Sequence, residues 1–98
     1  MIIITGSILA SPESFEELRE LSLEHVRRSR SEPGCLSHAV HIDVEDALRL
    51  VFLETWLDSA AVAAHFAVPE SRAFVKAVAS LAVEPPVMQV YDVNPASP

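Results

Sequence analysis

Residues 48–57 read Leu48-Arg49-Leu50-Val51-Phe52-Leu53-Glu54-Thr55-Trp56-Leu57, a nearly continuous apolar run of strand length. In an extended chain Leu50, Phe52 and Trp56 point to one side and Val51, Leu53 and Leu57 to the other, so both faces of this strand are oily. Ile2 to Ala10, rich in β-branched residues, has the same property: Ile3, Thr5 and Leu9 oppose Ile2, Ile4 and Ile8. Helices cover one face of such a sheet, and the other is more apolar than a monomer tolerates in water. The expectation is a homodimer, sheet against sheet through the open face, related by a two-fold axis.

Working outward, Cys35 to Asp43 alternates loosely and reads as a strand, joined to the run at 48–57 by the turn Val44-Glu45-Asp46-Ala47. Upstream, Ser11-Pro12 suits a helix start, with Ser11 as N-cap and Pro12 in the first turn. Phe15, Leu18, Ser22 and Val26 recur at helical spacing, and Leu21 and His25 widen that stripe. Arg27, Arg28 and Arg30 crowd the C-terminal turn, where the helix dipole favours cations, and Glu32-Pro33-Gly34 stops the helix. Downstream, Asp58-Ser59 caps a short helix from Ala60 to Phe66. Pro69 opens another that runs to about Leu81, with Phe74, Val78 and Leu81 facing inward, and Val87 to Val93 is a last strand. The order strand, helix, strand, strand, broken helix, strand predicts an α+β fold: a ferredoxin-like split βαβ with a four-stranded antiparallel sheet. One domain spans residues 1–93, and 94–98 form a flexible tail.

The 98 residues are half apolar and 21% charged, which suits one globular domain. Seven basic against fourteen acidic residues give a net charge of −7, which argues against nucleic acid as a partner. No apolar run approaches the roughly 20 residues of a membrane helix, and the N-terminal Met1-Ile2-Ile3-Ile4 lacks the basic lead of a signal peptide, so no membrane partner is expected. A lone Cys35 and four scattered histidines lack the spacing of a structural zinc site, which predicts no bound metal and fits a reducing, cytoplasmic setting.

Three stretches carry a resemblance: Glu32-Pro33-Gly34-Cys35-Leu36, then Phe52-Leu53-Glu54-Thr55-Trp56, then Ala64-His65-Phe66 with Pro69 and Phe74 after it. Together they resemble the antibiotic biosynthesis monooxygenase family, whose members form dimeric α+β barrels. The resemblance runs through the whole chain in order and spacing. It implies a pocket between helices and sheet, lined or neighboured by Ser7, Phe52, Trp56, Val62, His65, Val75 and Lys76. In the polyketide oxygenases of the family an asparagine stands in the place of Phe52 and a tyrosine in that of Val62, while Trp56 and Lys76 keep the family's tryptophan and basic residue. In the haem-degrading branch a histidine that ligates haem stands where Val75 is, which disfavours haem degradation here. Many members also carry a second histidine where this chain has Glu70. The activity implied is cofactor-independent monooxygenation of a small aromatic quinol, phenol or anthrone-like substrate by dioxygen. A non-enzymatic dimeric binding or assembly module is the alternative, favoured by the apolar Phe52 and Val62.

Within that frame His65 is the natural base, since imidazole titrates near neutrality, and its plainer role is a helix-end histidine bonded to a carbonyl. Trp56 either stacks on a flat substrate or is core. Lys76 either stabilises a phenolate or reaches to solvent. Glu54 shares a strand face with Phe52 and Trp56; burial would raise its pKa and suit it to proton transfer, unless an arginine such as Arg49 or Arg72 pairs with it. His38 and His41, three apart on a strand, point to opposite faces, and His38 is the one assigned to the pocket. Cys35 reads as a small buried hydrophobe.

Overall fold

A computed structural model describes residues 1–97. The chain folds as β1 (Ile2–Leu9), α1 (Phe15–Ser29), β2 (Cys35–Asp43), β3 (Asp46–Trp56), α2 (Ser59–Ala67), α3 (Pro69–Leu81) and β4 (Val87–Asp92). The four strands form one sheet in the order β2-β3-β1-β4, every neighbouring pair antiparallel. This is the predicted ferredoxin-like α+β arrangement, with the two oiliest strands, β1 and β3, at its centre. The described residues contain no helix long and apolar enough to cross a membrane.

Strand parity decides what is covered. Ile2, Ile4 and Ile8 of β1 and Leu50, Phe52, Glu54 and Trp56 of β3 are buried beneath the helices. Ile8, Leu50 and Phe52 join Ala10, Leu18, Val26 and Val78 in one apolar cluster; Ile2, Ile4, Trp56 and Val62 form a second. The opposite face carries Leu53, Val87 and Tyr91, all exposed, in register with Thr5, Ser7 and Ile3 of β1 respectively. The apolar surplus read from the sequence thus lies on one side of the sheet. Residues 94–97 follow β4 with no regular structure.

Two boundaries differ from the sequence reading by more than one residue. α1 starts at Phe15, three or so residues later than Ser11-Pro12 suggests. Ser11 Oγ does accept a hydrogen bond from the Ser14 amide (3.1 Å), but the Ser11 amide in turn donates to Ser14 Oγ (3.0 Å). The pair closes a separate turn before the helix, which uses the capping potential of Ser11 locally. β3 begins two residues earlier than expected, because the Asp46 side chain accepts from the Leu48 amide and the hairpin turn tightens accordingly.

The remaining boundaries fall where capping chemistry puts them. Asp58 accepts from the Ala61 amide at 2.9 Å and caps α2. Val68 has no side chain to cap with, and Pro69 at the first position of α3 removes one amide that would need a partner. Gly34, at φ +83°, turns the chain into β2, and a Cβ there would sit 2.5 Å from Ala61 Cβ. Both its conformation and the close approach of α2 therefore require glycine. That approach holds α2, with His65, over the start of β2.

Candidate functional site

Between the helices and the sheet lies a cavity of about 660 Å³. Its walls come from six elements: Gly6 and Ile8 of β1, Phe52 and Glu54 of β3, His25 of α1, His65 of α2, Ser71, Phe74 and Val78 of α3, and Met88 of β4. Gly6 explains part of its depth. It lies on the helix-side face between the buried Ile4 and Ile8, and having no side chain it leaves empty the space that an isoleucine would fill. The wall is mostly apolar, and its polar groups gather at one end.

That end is built on histidines. His25, His38 and His65 come from α1, β2 and α2, are all buried, and lie with ring centroids 5.3 to 5.7 Å apart. His65 has 2% of its surface exposed, and its Nδ1 is 2.8 Å from Glu32 Oε1. A carboxylate accepts only, so Nδ1 carries a proton, and in the neutral ring the lone pair falls on Nε2. Arg28 fixes the opposite tautomer on His25: its Nη2 donates to His25 Nδ1 at 3.0 Å, placing the ring proton on Nε2. Arg28 also donates to Glu32 Oε2 (2.7 Å) and to Ser71 Oγ (2.9 Å), so one guanidinium ties α1, the following loop and α3 together. His25 stacks on Phe74 at 4.1 Å with 9° between the ring planes.

His38 is different. Neither of its ring nitrogens makes a hydrogen bond, although both are buried. Nε2 approaches Glu54 Oε1 to 3.2 Å, an electrostatic contact whose angle does not suit a hydrogen bond. The same carboxylate oxygen accepts from the Trp56 indole Nε1 at 2.9 Å. Burial alone pushes Glu54 up, but the neighbouring His38, foremost, and the Trp56 N–H outweigh it and hold the carboxyl below the usual range. Burial, then His38 and His65, then Arg28 push His25 down to about 3, so it is neutral at physiological pH. Cys35 is raised, chiefly by burial and by the charges of Glu32 and Glu54, which leaves it a thiol.

The residues singled out in the sequence are distributed unevenly around this site. His65, Phe52, Glu54 and Ser7 form walls of the cavity, and Val75 stands at its rim, 61% exposed. Parity directs the Ser7 side chain toward the open sheet face, so it borders the cavity through its backbone. His38 faces the helix side, behind Glu54, while His41 is exposed on the other side, as their spacing requires. Trp56 is wholly buried behind Glu54 with Ile2, Ile4 and Val62; neither Trp56 nor Val62 borders the cavity. Lys76 is exposed and outside it. Glu54 is buried but follows neither alternative read from the sequence: its partners are a histidine and a tryptophan instead of an arginine, and its pKa moves down where burial alone suggested up.

His25, Arg28 and Glu32 were not singled out for the site. His25 reads as part of the apolar stripe of α1, and Arg28 as one of the cations that the helix dipole favours in its last turn. The signal was a titratable ring on the core face of a helix with arginine three residues on, a spacing that lets the two side chains meet.

Comparison with known proteins agrees with this architecture. Residues 1–77 match the family model for antibiotic biosynthesis monooxygenase. The chain is 33% identical over 92 residues to the uncharacterized protein sll1783 of Synechocystis, an alignment covering 94% of this chain and 63% of that one, so the chain spans under two thirds of its relative's length. Among solved structures, an antibiotic biosynthesis monooxygenase superposes with a TM-score of 0.88 at 26% identity, over 97% of this chain and 100% of that chain. A candidate antibiotic biosynthesis monooxygenase from Deinococcus radiodurans does so with a TM-score of 0.94 at 26% identity, over 100% and 97%. Rv0793 from Mycobacterium tuberculosis, 22% identical with a TM-score of 0.89 over 98% of each chain, shares the fold. With the family model matched across β1 to most of α3, the elements that supply most of the pocket wall, the chain belongs to the antibiotic biosynthesis monooxygenase family.

Proposed function

We propose that this chain oxidises a small, electron-rich aromatic molecule of the quinol, phenol or anthrone class with dioxygen, in the cavity beside His65 and without a cofactor. The observation that carries this reading is His65 itself: buried, held by Glu32 through Nδ1, and lining an apolar cavity, so that Nε2 bears the lone pair of the neutral ring. A neutral imidazole oriented by a carboxylate is a competent general base. Proton transfer from a phenol or from an activated CH₂ to Nε2 leaves an anion that gives up electrons to dioxygen. For an anthrone-like carbon the balance is CH₂ plus O₂ giving C=O plus H₂O: one oxygen atom is kept by the product and the other leaves as water.

The rest of the site supports the same step. Phe52 and Phe74, with ring centroids 6.1 Å apart, offer flat apolar surface to an aromatic ring. The mostly apolar wall excludes water, which strengthens the electrostatic hold on a developing anion. His25, with its proton on Nε2, supplies a donor at the same end. Trp56 acts through Glu54 as a positioning residue, and Val62 packs it in place. The exposed row of Leu53, Leu57, Val87 and Tyr91 supports a homodimer through the open sheet face.

The test is incubation of metal-stripped protein with hydroquinones, naphthols and anthrones under ¹⁸O₂. One labelled oxygen atom per product, formed faster than without protein, is the expected result. A ligand retained by the folded protein with no oxygen consumed across the panel contradicts it and favours the non-enzymatic binding module, which the apolar Phe52 wall also suits.

A further inference from the structure

The three buried histidines have more capacity than the proposed proton transfer uses. One nitrogen from each of His25, His38 and His65 lies within 4.8 Å of the others. Each ring comes from a different element, so the cluster is a product of the fold. A buried histidine normally spends both ring nitrogens on partners, and His38 spends neither. His65 already has the carboxylate on Nδ1 that orients a ligating imidazole and fixes its tautomer. Glu54, 3.2 Å from His38, adds a carboxylate beside the trio.

We infer that His25, His38 and His65 form a binding site for a divalent first-row transition metal of the zinc class, open on one side to the cavity. Imidazole nitrogen suits zinc, cobalt, nickel and copper, and calcium or magnesium would want oxygen instead. Three protein ligands with a fourth position facing a pocket is the arrangement of an accessible site, in contrast to a closed structural one. A metal–nitrogen bond of about 2.0–2.1 Å puts neighbouring nitrogens about 3.3 Å apart in a tetrahedral site. The rings must therefore close inward from their present spacing, by rotation about the soft second side-chain torsion of histidine. If His25 ligates through Nε2, its proton moves to Nδ1 and the contact with Arg28 is given up; Arg28 keeps Glu32 and Ser71 as partners.

A metal on His65 Nε2 occupies the lone pair that accepts the substrate proton in the reaction proposed above. Metal-loaded and proton-accepting forms are then alternative states of one site, a consequence that rests on that proposal, whereas the site itself does not.

The test is titration of tag-free, metal-stripped full-length chain with Co²⁺, followed by visible d–d absorption, and with Zn²⁺ by calorimetry. One equivalent bound, with the intense visible bands of four- or five-coordinate cobalt, is expected. His38→Asn and His65→Asn should each weaken binding at least tenfold. His41→Asn, which removes the exposed histidine, should leave it unchanged, and circular dichroism checks that each variant is folded. Absence of saturable binding, an octahedral cobalt spectrum, or binding lost with His41 and kept without His38 overturns the site. Turnover assays separate the two proposals: cobalt binding with the expected spectrum in a protein inactive toward every aromatic substrate upholds the site while the oxygenase reading fails. Zinc that raises turnover likewise upholds the site and overturns the metal-free reaction.

Discussion

The two halves of β3 sit on the same sheet face at nearly the same depth and do different things. Leu50 and Phe52 are 2% and 6% exposed and pack into an apolar cluster with Ile8, Leu18, Val26 and Val78. Glu54 and Trp56, two and four residues on from Phe52, are 8% and 0% exposed, but they meet His38 and His65. Burial does not distinguish core from site in this molecule; the chemistry of the partners does. The apolar half gains from leaving water, whereas each polar group in the other half has to recover its lost hydration from a neighbour. His38, with no hydrogen bond at either nitrogen, is the place where that recovery is incomplete.

The comparison is broken most directly by exchanging what each half depends on. Leu50→Ala should cost about 2–5 kcal/mol of stability, from lost burial and the cavity left behind, with no change in turnover by the fraction that remains folded. Chemical denaturation alongside oxygen uptake reads both quantities. A comparable loss of specific turnover would show that the apolar half shapes the site as well.

Acid should act on the polar half. His25, held down to about 3 from an ordinary 6.5, binds its proton more readily in the unfolded chain than in the folded one. Its contribution to stability is therefore full above pH 6.5 and drains away as pH falls toward 3, by on the order of a few kcal/mol. The groups facing it, His38, His65, Arg28 and Glu54, modulate that slope. Denaturation midpoints across pH 3–7 should fall in the wild type and fall less steeply in His25→Gln.

A smaller effect is expected at Glu54. Its pKa is lowered in the fold, so it stabilises while ionised, above its unfolded value, and loses that contribution as pH drops through the folded one. Glu54→Gln keeps the shape and an oxygen for Trp56 but removes the charge beside His38, and should cost about 1–2 kcal/mol at neutral pH. At the small end, Lys76→Ala should stay within about ±0.5 kcal/mol and leave turnover unchanged, because the side chain is exposed and outside the cavity.

The same division governs how much was legible in the sequence. Alternation in β1 and β3, the helical stripe of α1, Gly34 and the Asp58 cap are local patterns, and they led directly to the element order, while the covered sheet face came from the family resemblance that put Phe52 and Trp56 at the pocket. The exposed apolar face was legible from the same alternation. The histidine cluster was only half legible. Parity separated His38 from His41, and β3 placed Glu54 between Phe52 and Trp56. What no local pattern carries is that α1, β2 and α2 converge on one point, because that depends on how the helices cross the sheet. His25 therefore read as part of an apolar stripe and Arg28 as surface charge, and Trp56 and Lys76 were placed nearer the cavity than they are.

Under the proposed oxidation, the polar half of this interior is a working site with His65 as its base. The most direct test is the initial rate of dioxygen consumption by metal-stripped protein on an anthrone substrate, measured for wild type and for His65→Ala at matched folded concentration. The expected result is a fall of about 10²–10⁴-fold in the variant, the span usual for a lost general base, with its denaturation midpoint close to wild type. Equal rates in the two proteins, both folded, would contradict the claim.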